Sequence, residues 1–361
     1  MFHRILICLL SFLFVCPIAF AEQENFEKKA WRFLCENMPE QDRGKVSEKY
    51  LQENLRLALA VRGNLPWTRD VPDELFLNAV LPYASIGEEI DVWRPVFCQK
   101  FMPLVADCKN ATEVVETLNR EIWKILGVVY SPKRDKPDQS PFHSMRIGMA
   151  SCSGLSVILI NACRAVGVPA RFAGCRWKKK PGNHSWVEFW DRGKWHYIGA
   201  FDCSKANESW FDADAAAAVE SDPHYAIYAT SWAPTGTEFD ASWRYPGDSR
   251  SGIPACNVTA RYVAKAPAKV REVPLAINLC DANGKRIAVP VRVVEKSTRR
   301  VLGEGVSHDD TRDLNNHFTV SAPAGTRVEI YVRRGKASPE ILLGEHVFGS
   351  DAKTLRLMLE E

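Results

Sequence analysis

The apolar positions of this chain change their period along its length, and the changes divide it into regions. Between residues 26 and 130 they recur every three to four residues, the spacing of one helical face. Glu48 to Val61 places Leu51, Leu55 and Leu59 on one side and stops at Gly63, a residue suited to the left-handed turn that closes a helix. Asp70 and Val71-Pro72 open another helix, with proline near the first turn, where its missing N–H is tolerated. Asn110 followed by Glu113 makes a capping-box-like start for a third, continued by Val114, Leu118, Ile122 and Ile125. Residues 131–142, SPKRDKPDQSPF, hold three prolines and read as a loop. Ser153 to Val166 is apolar and helical, ending at Gly167.

The period then falls to two. Ala170 to Arg176 and Ser185 to Trp190 read as strands, Asp191-Arg192-Gly193-Lys194 as a hairpin turn, and Trp195 to Ile198 as the return strand. Residues 212–230 go back to helix-like composition, and residues 234–257 are rich in Pro, Gly and Ser, as in a linker. Beyond them alternation resumes in Val273-Leu275-Ile277-Leu279, Ile287-Val289-Val291-Val293, Phe318-Val320, Val328-Ile330-Val332 and Leu355-Leu357-Leu359. About 100 residues of short alternating strands predict a small β-sandwich.

The N-terminus adds a location to this map. Arg4, the apolar run Ile5 to Phe14 and the small-x-small Ala19-Phe20-Ala21 read as a cleavable secretion signal. No other stretch is apolar enough to span a bilayer, so the mature chain is expected in a secreted or periplasmic setting. The whole chain carries a net charge of +3, and no concentrated basic face points to nucleic acid. Of 11 cysteines, nine follow Ala21. In an oxidising compartment an odd number leaves one thiol to be explained, and a nucleophile would explain it. Cys98 and Cys108 are the nearest pair expected to bridge, and a Cys175–Cys203 pair is a second possibility. There is no Cys-x-x-Cys pair to suggest zinc, and neither metal nor cofactor is expected. Asn110, Asn207 and Asn257 begin Asn-x-Ser/Thr sites, which matter only in a glycosylating host.

Three segments carry chemistry together. Cys152 stands just before the apolar helix, where free N–H groups and the positive end of the helix dipole stabilise a thiolate. In Asn183-His184-Ser185-Trp186-Val187-Glu188, alternation puts His184, Trp186 and Glu188 on one face. Gly193-Lys194-Trp195-His196-Tyr197-Ile198 returns, and Asp202 is the nearest acid after it. Cys163, eleven residues beyond Cys152, belongs to the core, and Lys178-Lys179-Lys180 reads as a solvated loop tip. The order of Cys, then a helix ending in Ala-Val-Gly-Val-Pro-Ala-Arg, then His-x-Trp-Val-Glu-x-Trp, then Gly-x-Trp resembles the transglutaminase-like superfamily core over residues 112–205.

That resemblance implies a papain-like α+β fold with Cys152 as nucleophile, His184 as base and an aspartate to orient it. The family's aspartate falls four residues after the tryptophan, where this chain has Gly199, and Asp202 is expected to substitute for it. The backbone N–H of Cys152 is the first candidate oxyanion donor and Gln139, by analogy with papain-like enzymes, the second. The expected organisation is a signal at 1–21, a helical region at 22–110, a transglutaminase-like catalytic core at 111–233, a linker at 234–257 and an all-β sandwich at 258–361. The expected activity is thioester-forming acyl transfer on a protein or peptide substrate by a cysteine peptidase or amidase or a transglutaminase-type acyltransferase, with hydrolysis of peptide or amide bonds favoured over transfer to an amine. The alternative is a catalytically degenerate binding protein on the same fold. Oligomeric state is not legible.

Overall fold

The computed structural model describes residues 17–202, 205–239, 252–264, 272–335 and 338–359. The expected signal therefore lies outside the described residues up to residue 16. No helix among the described residues is long and apolar enough to cross a membrane.

The helical half follows its sequence signals closely. Helices α1 (Pro17–Glu36), α2 (Glu48–Val61) and α3 (Asp73–Ala79) enclose a cluster that includes Phe26, Leu34, Leu55 and Phe76. Ser47 caps α2 by accepting the Tyr50 N–H, and α3 begins only at Asp73 because Pro72 stands at its N-cap. Helix α4 (Trp93–Phe101) precedes α5 (Ala111–Leu126), where Asn110 accepts the Glu113 N–H at 3.0 Å. The Glu113 carboxylate reaches back to the Lys109 N–H, one residue earlier than in a strict capping box.

Between α3 and α4 the chain is irregular, and two buried arginines fasten it. Arg94 donates to the carbonyls of Val80, Leu81, Pro82 and Arg164, while Arg164 donates to those of Ala79, Ala84 and Ala170. Burial pushes both guanidinium pKa values down, Arg94 to about 10 and Arg164 to about 9. Strands β1 (Val129–Tyr130) and β2 (Met149–Ala150) pair in parallel around helix α6 (Pro141–Ile147). Helix α7 (Cys152–Ala165) follows at once, and every residue from Ser153 to Ala165 is buried. A helix apolar on all sides belongs at the centre, and α7 packs against α4, α5 and the main sheet. Gly167 ends it with φ 84, and a Cβ there would come 2.7 Å from Thr68 Cγ2.

The main sheet is antiparallel with order β5-β4-β3-β6-β7, built from β3 (Ala170–Arg176), β4 (Asn183–Asp191), β5 (Lys194–Ile198), β6 (Tyr228–Thr230) and β7 (Ala255–Asn257). The hairpin turn falls where expected, with Arg192 and Gly193 both at positive φ. Two expectations fail in detail. Of 212–230, only α8 (Asp212–Ala215) is helical, because Tyr228 and Ala229 complete the β3 ladder opposite Gly174 and Ala173. Alanine-rich composition yields to that backbone pairing. At the other edge, Ala255–Asn257, from the stretch expected as linker, pairs with β6; residues 240–251 of that stretch lie outside the described residues. Helix α9 (Ala260–Val263) also packs on this sheet, where the Tyr262 hydroxyl donates to Glu188 Oε1 and accepts from Trp186 Nε1.

The C-terminal region is all β. Strands β9 (Pro290–Glu295), β10 (Val301–Val306), β12 (Arg327–Val332) and β13 (Ile341–Val347) form an antiparallel sheet of order β10-β9-β12-β13. Strands β8 (Glu272–Cys280), β11 (Phe318–Pro323) and β14 (Lys353–Met358) form a second, β11-β8-β14, in which β8 and β14 run parallel. The alternating Val273, Leu275, Ile277, Val291, Val293 and Ile330 meet in one apolar cluster shared by the two sheets. Strand β10 escapes the alternation because Gly303 lies against β11. A Cβ there would meet Val320 Cγ1 at 2.6 Å.

The expected Cys98–Cys108 bridge is absent. Both thiols are free; Cys98 donates to the Ala165 carbonyl and Cys108 faces the Thr117 hydroxyl. Cys175 is buried and free, and Cys203 lies outside the described residues.

Candidate active site

Cys152 is the first residue of α7, and Ser151 before it holds the N-cap position without capping. Its hydroxyl instead accepts from Arg134 Nε at 2.9 Å. No capping side chain thus occupies the first-turn N–H groups of α7, which remain directed toward the region of Cys152. Such groups stabilise negative charge, on a sulfur or on the oxygen of a tetrahedral intermediate.

His184 stands near the start of β4, one strand in from the sheet edge, with its side chain 5% exposed. Trp210 and Phe211 lie 4.7 and 5.0 Å from its ring centroid, and Trp177 and Trp186 stack at 6.1 and 6.0 Å. The strand's alternation puts His184 and Trp186 on this one dry wall.

The carboxylate that meets them comes from the far end of the chain. Cys152, His184 and Asp313 each offer a ligand-type atom within 4.8 Å of the others. Asp313 Oδ2 lies 3.6 Å from His184 Nδ1, an ion-pair distance longer than a normal hydrogen bond. Such contacts are often loose before substrate arrives. Burial, the largest single influence on His184, disfavours its charged form. The charge of Asp313, reinforced by Cys152, outweighs burial and raises the imidazole to about 10. Burial likewise opposes ionisation of Asp313, and the neighbouring imidazolium overcomes it, so its carboxyl is held below the usual range.

Asp313 lies in the connection between β10 and β11, residues 307–317, which is stitched to the core at several points. Asp313 Oδ1 accepts from the Asn315 N–H at 2.8 Å and from the Asn315 side-chain amide at 3.3 Å. The same amide donates to the carbonyl of Asn183, next to His184, and the Leu314 N–H donates to the Tyr130 hydroxyl. Gly182, at φ 106, makes room for this contact, since a Cβ would lie 2.4 Å from Asn315 Oδ1. Lys180 is no solvated tip; it pairs with Asp214 at 2.6 Å and reaches the Asn315 carbonyl. From behind, the buried guanidinium of Arg286 pairs with Asp310 and donates to backbone carbonyls of Asp309, Arg312, Asp313, Leu314 and Asn316.

Of the residues expected from sequence, Cys152 and His184 come together. Asp202 lines the same narrow pocket but falls outside the three-group cluster. Its carboxylate folds over Gly199, where a Cβ would lie only 1.9 Å from Asp202 Oδ2. It therefore occupies the room that a side chain at the family's aspartate position would need. Gln139 is wholly buried, its amide donates to the Met149 carbonyl, and it lines neither cavity at Cys152. The expected second oxyanion donor thus packs beside Gly154 in the first turn of α7, with one amide hydrogen spent on Met149.

Cys152 lies between two cavities. One, about 20 Å³, is walled by Ala200, Phe201 and Trp210; the other, about 270 Å³, by Arg134, Ser151, Asn183 and Leu314. Phe201 holds φ 75, unusual for a bulky residue, and Asn119 fixes it by accepting its N–H while donating to the Gly199 carbonyl. A sulfur, an imidazole nitrogen and a carboxylate at this spacing are also a donor set for a divalent ion such as zinc.

Asp313 was invisible to a search confined to the core motifs. The available signal was the polar eleven-residue run Ser307 to His317 ahead of the alternating Phe318-Val320, longer than most hairpin connections.

With this geometry in view, comparison with known proteins is informative over a limited span. Residues 102–215 match the model of the transglutaminase-like superfamily. No curated protein matches the chain. Among solved structures, one described as a cysteine protease candidate from Cytophaga hutchinsonii is similar at 17% identity and a TM-score of 0.27, covering 45% of this chain and 58% of that one. The chain carries a transglutaminase-like superfamily domain within an α+β fold, and its Cys152, His184 and Asp313 are arranged as a cysteine-enzyme triad would be.

Proposed function

We propose that the protein is an exported cysteine hydrolase of peptide or amide bonds, with Cys152 as nucleophile, His184 as acid and base, and Asp313 as the residue that orients and charges His184. The observation that carries this reading is the cluster of the three groups around the buried His184 ring, with the Asp313 carboxylate 3.6 Å from His184 Nδ1, where its charge favours the imidazolium. An imidazolium beside the sulfur is placed to hand its proton to the departing amine.

The chemistry follows from those charges. The thiolate sulfur bonds to the carbonyl carbon, and the π electrons move onto oxygen, facing the free N–H groups at the start of α7. When the carbonyl re-forms, the C–N bond breaks and the amine leaves with a proton from the imidazolium. Neutral imidazole then takes a proton from water as it attacks the thioester, and the thiolate departs. The irregular wall at Ala200-Phe201 and the aromatic face at Trp210 border the narrow side, where they limit water. Secretion through the segment at 1–21 belongs to the same reading and rests on the sequence alone.

Quenched-fluorescent peptide pools test the activity. Wild type should cleave a subset, Cys152→Ala should cleave none, and acid quenching should trap a thioester on Cys152 detectable by mass. The absence of both cleavage and thioester across the pools would refute hydrolysis and favour a binding protein on this fold.

A further inference from the structure

The wider cavity beside Cys152 holds one fixed cation. Arg134 lines it, in the proline-rich segment that the sequence marks only as a loop. Its side chain is anchored rather than free: Nε donates to the Ser151 hydroxyl at 2.9 Å and Nη1 to the Pro132 carbonyl at 3.0 Å. These bonds engage Nε and Nη1 and, among the described residues, leave Nη2 without a hydrogen-bond partner. Pro132 and Pro137, which also line the cavity, stiffen the backbone on either side.

The cation has no acidic partner to absorb it. Among the described residues no carboxylate forms an ion pair with Arg134. Asp135, the next residue, turns to His143 at 2.7 Å. The acid on the cavity wall, Asp313, already faces His184. Arginine held in a preset orientation loses little entropy on meeting a planar carboxylate, with which its fork pairs well. The bond to Ser151 also keeps that hydroxyl from capping α7, so the positive helix end faces the same space.

We propose that Arg134 is a specificity-determining residue that binds a substrate carboxylate in the cavity on one side of the scissile bond. The group would be the end of a peptide chain or an Asp or Glu side chain. This rests on the proposed Cys152 chemistry and adds a substrate class to it.

Four alkylating probes test the assignment with the full-length protein, their rates read at Cys152 by peptide mass spectrometry. N-iodoacetylglycine carries a terminal carboxylate and N-iodoacetylglutamic acid α-amide a side-chain one; N-iodoacetylglycinamide and N-iodoacetylglutamine α-amide are their neutral counterparts. One acidic probe should outpace its neutral counterpart about tenfold in wild type, as one guided ion pair allows. That ratio should fall several-fold in Arg134→Gln and recover in part in Arg134→Lys. The probe that shows the preference identifies the carboxylate's source. Equal rates for acidic and neutral probes, or a preference that survives Arg134→Gln, would overturn the assignment. A preference lost instead in Arg312→Gln, the exposed arginine lining the narrow pocket, would also overturn it. Slow labelling by all four probes would instead remove the activated Cys152 beneath both readings, and the inference would fall with it.

Discussion

Asp313 and Asp202 are two acids lining one pocket, and they touch different groups. Asp313 faces His184 and sets its charge, whereas Asp202 packs over Gly199. Asp313→Asn should therefore lower kcat/KM by about 10²- to 10⁴-fold, the usual contribution of a working acid–base partner, while Asp202→Asn should keep most activity. The pH profile gives the sign. With His184 raised to about 10, the imidazolium survives neutral pH and is lost as pH rises through that value, so the alkaline limb of wild-type kcat/KM should lie near it. In Asp313→Asn the main raising charge is gone while burial and the weaker Cys152 contribution remain, so the limb should move down toward 6.5, the ordinary histidine value. The three donors should also capture zinc. Added Zn²⁺ should inhibit and a chelator restore activity; loss of activity on chelation alone would mean that the metal, not the thiolate, does the chemistry.

Elements whose residues interact with near neighbours were legible in sequence; those defined by distant pairing were not. Helix α2 matches its expected range because Ser47 and Gly63 mark both ends, and β3 matches because its alternation is bounded by Gly167 and Arg176. Strands β6 and β7 were missed because each is extended by a partner distant in sequence, β6 by β3 more than 50 residues upstream and β7 by β6. Glu188 shows how much such long-range contact matters. It is buried on β4 and binds Arg171 at 2.7 Å, Arg261 of α9 at 3.0 Å and the Tyr262 hydroxyl at 2.9 Å. Glu188→Ala leaves Arg171 buried with its charge unmatched and should cost about 3–5 kcal/mol, seen as a lower denaturation midpoint with an unchanged slope. A loss below about 1 kcal/mol would show the network to be surface-like.

At the scale of the whole molecule, the C-terminal sheets reach the site itself, because their β10–β11 connection places Asp313 3.6 Å from His184. A sequence reading that treated the β region as a separate module could find Cys152 and His184 but looked for the third residue only nearby. Gly199, where the family pattern has aspartate, marks the place at which the local sequence stops naming the third residue. Arg286 is the joint on which this arrangement depends, since its fork gathers the carbonyls around Asp313. Arg286→Lys keeps the charge but loses the planar fork, and should reduce kcat/KM at least about tenfold while shifting the alkaline limb down as Asp313→Asn does. Reduced activity with an unmoved limb would indicate general loosening instead.

The most direct test of the three-residue site is the pH dependence of iodoacetamide labelling at Cys152 in wild type, Asp313→Asn and Asp202→Asn. Wild type and Asp202→Asn should label rapidly at mildly acidic pH, where an ordinary thiol titrating near about 8.5 is inert, and Asp313→Asn should lose that labelling. Unchanged low-pH labelling in Asp313→Asn, with its loss in Asp202→Asn, would contradict the account and return the orienting role to Asp202.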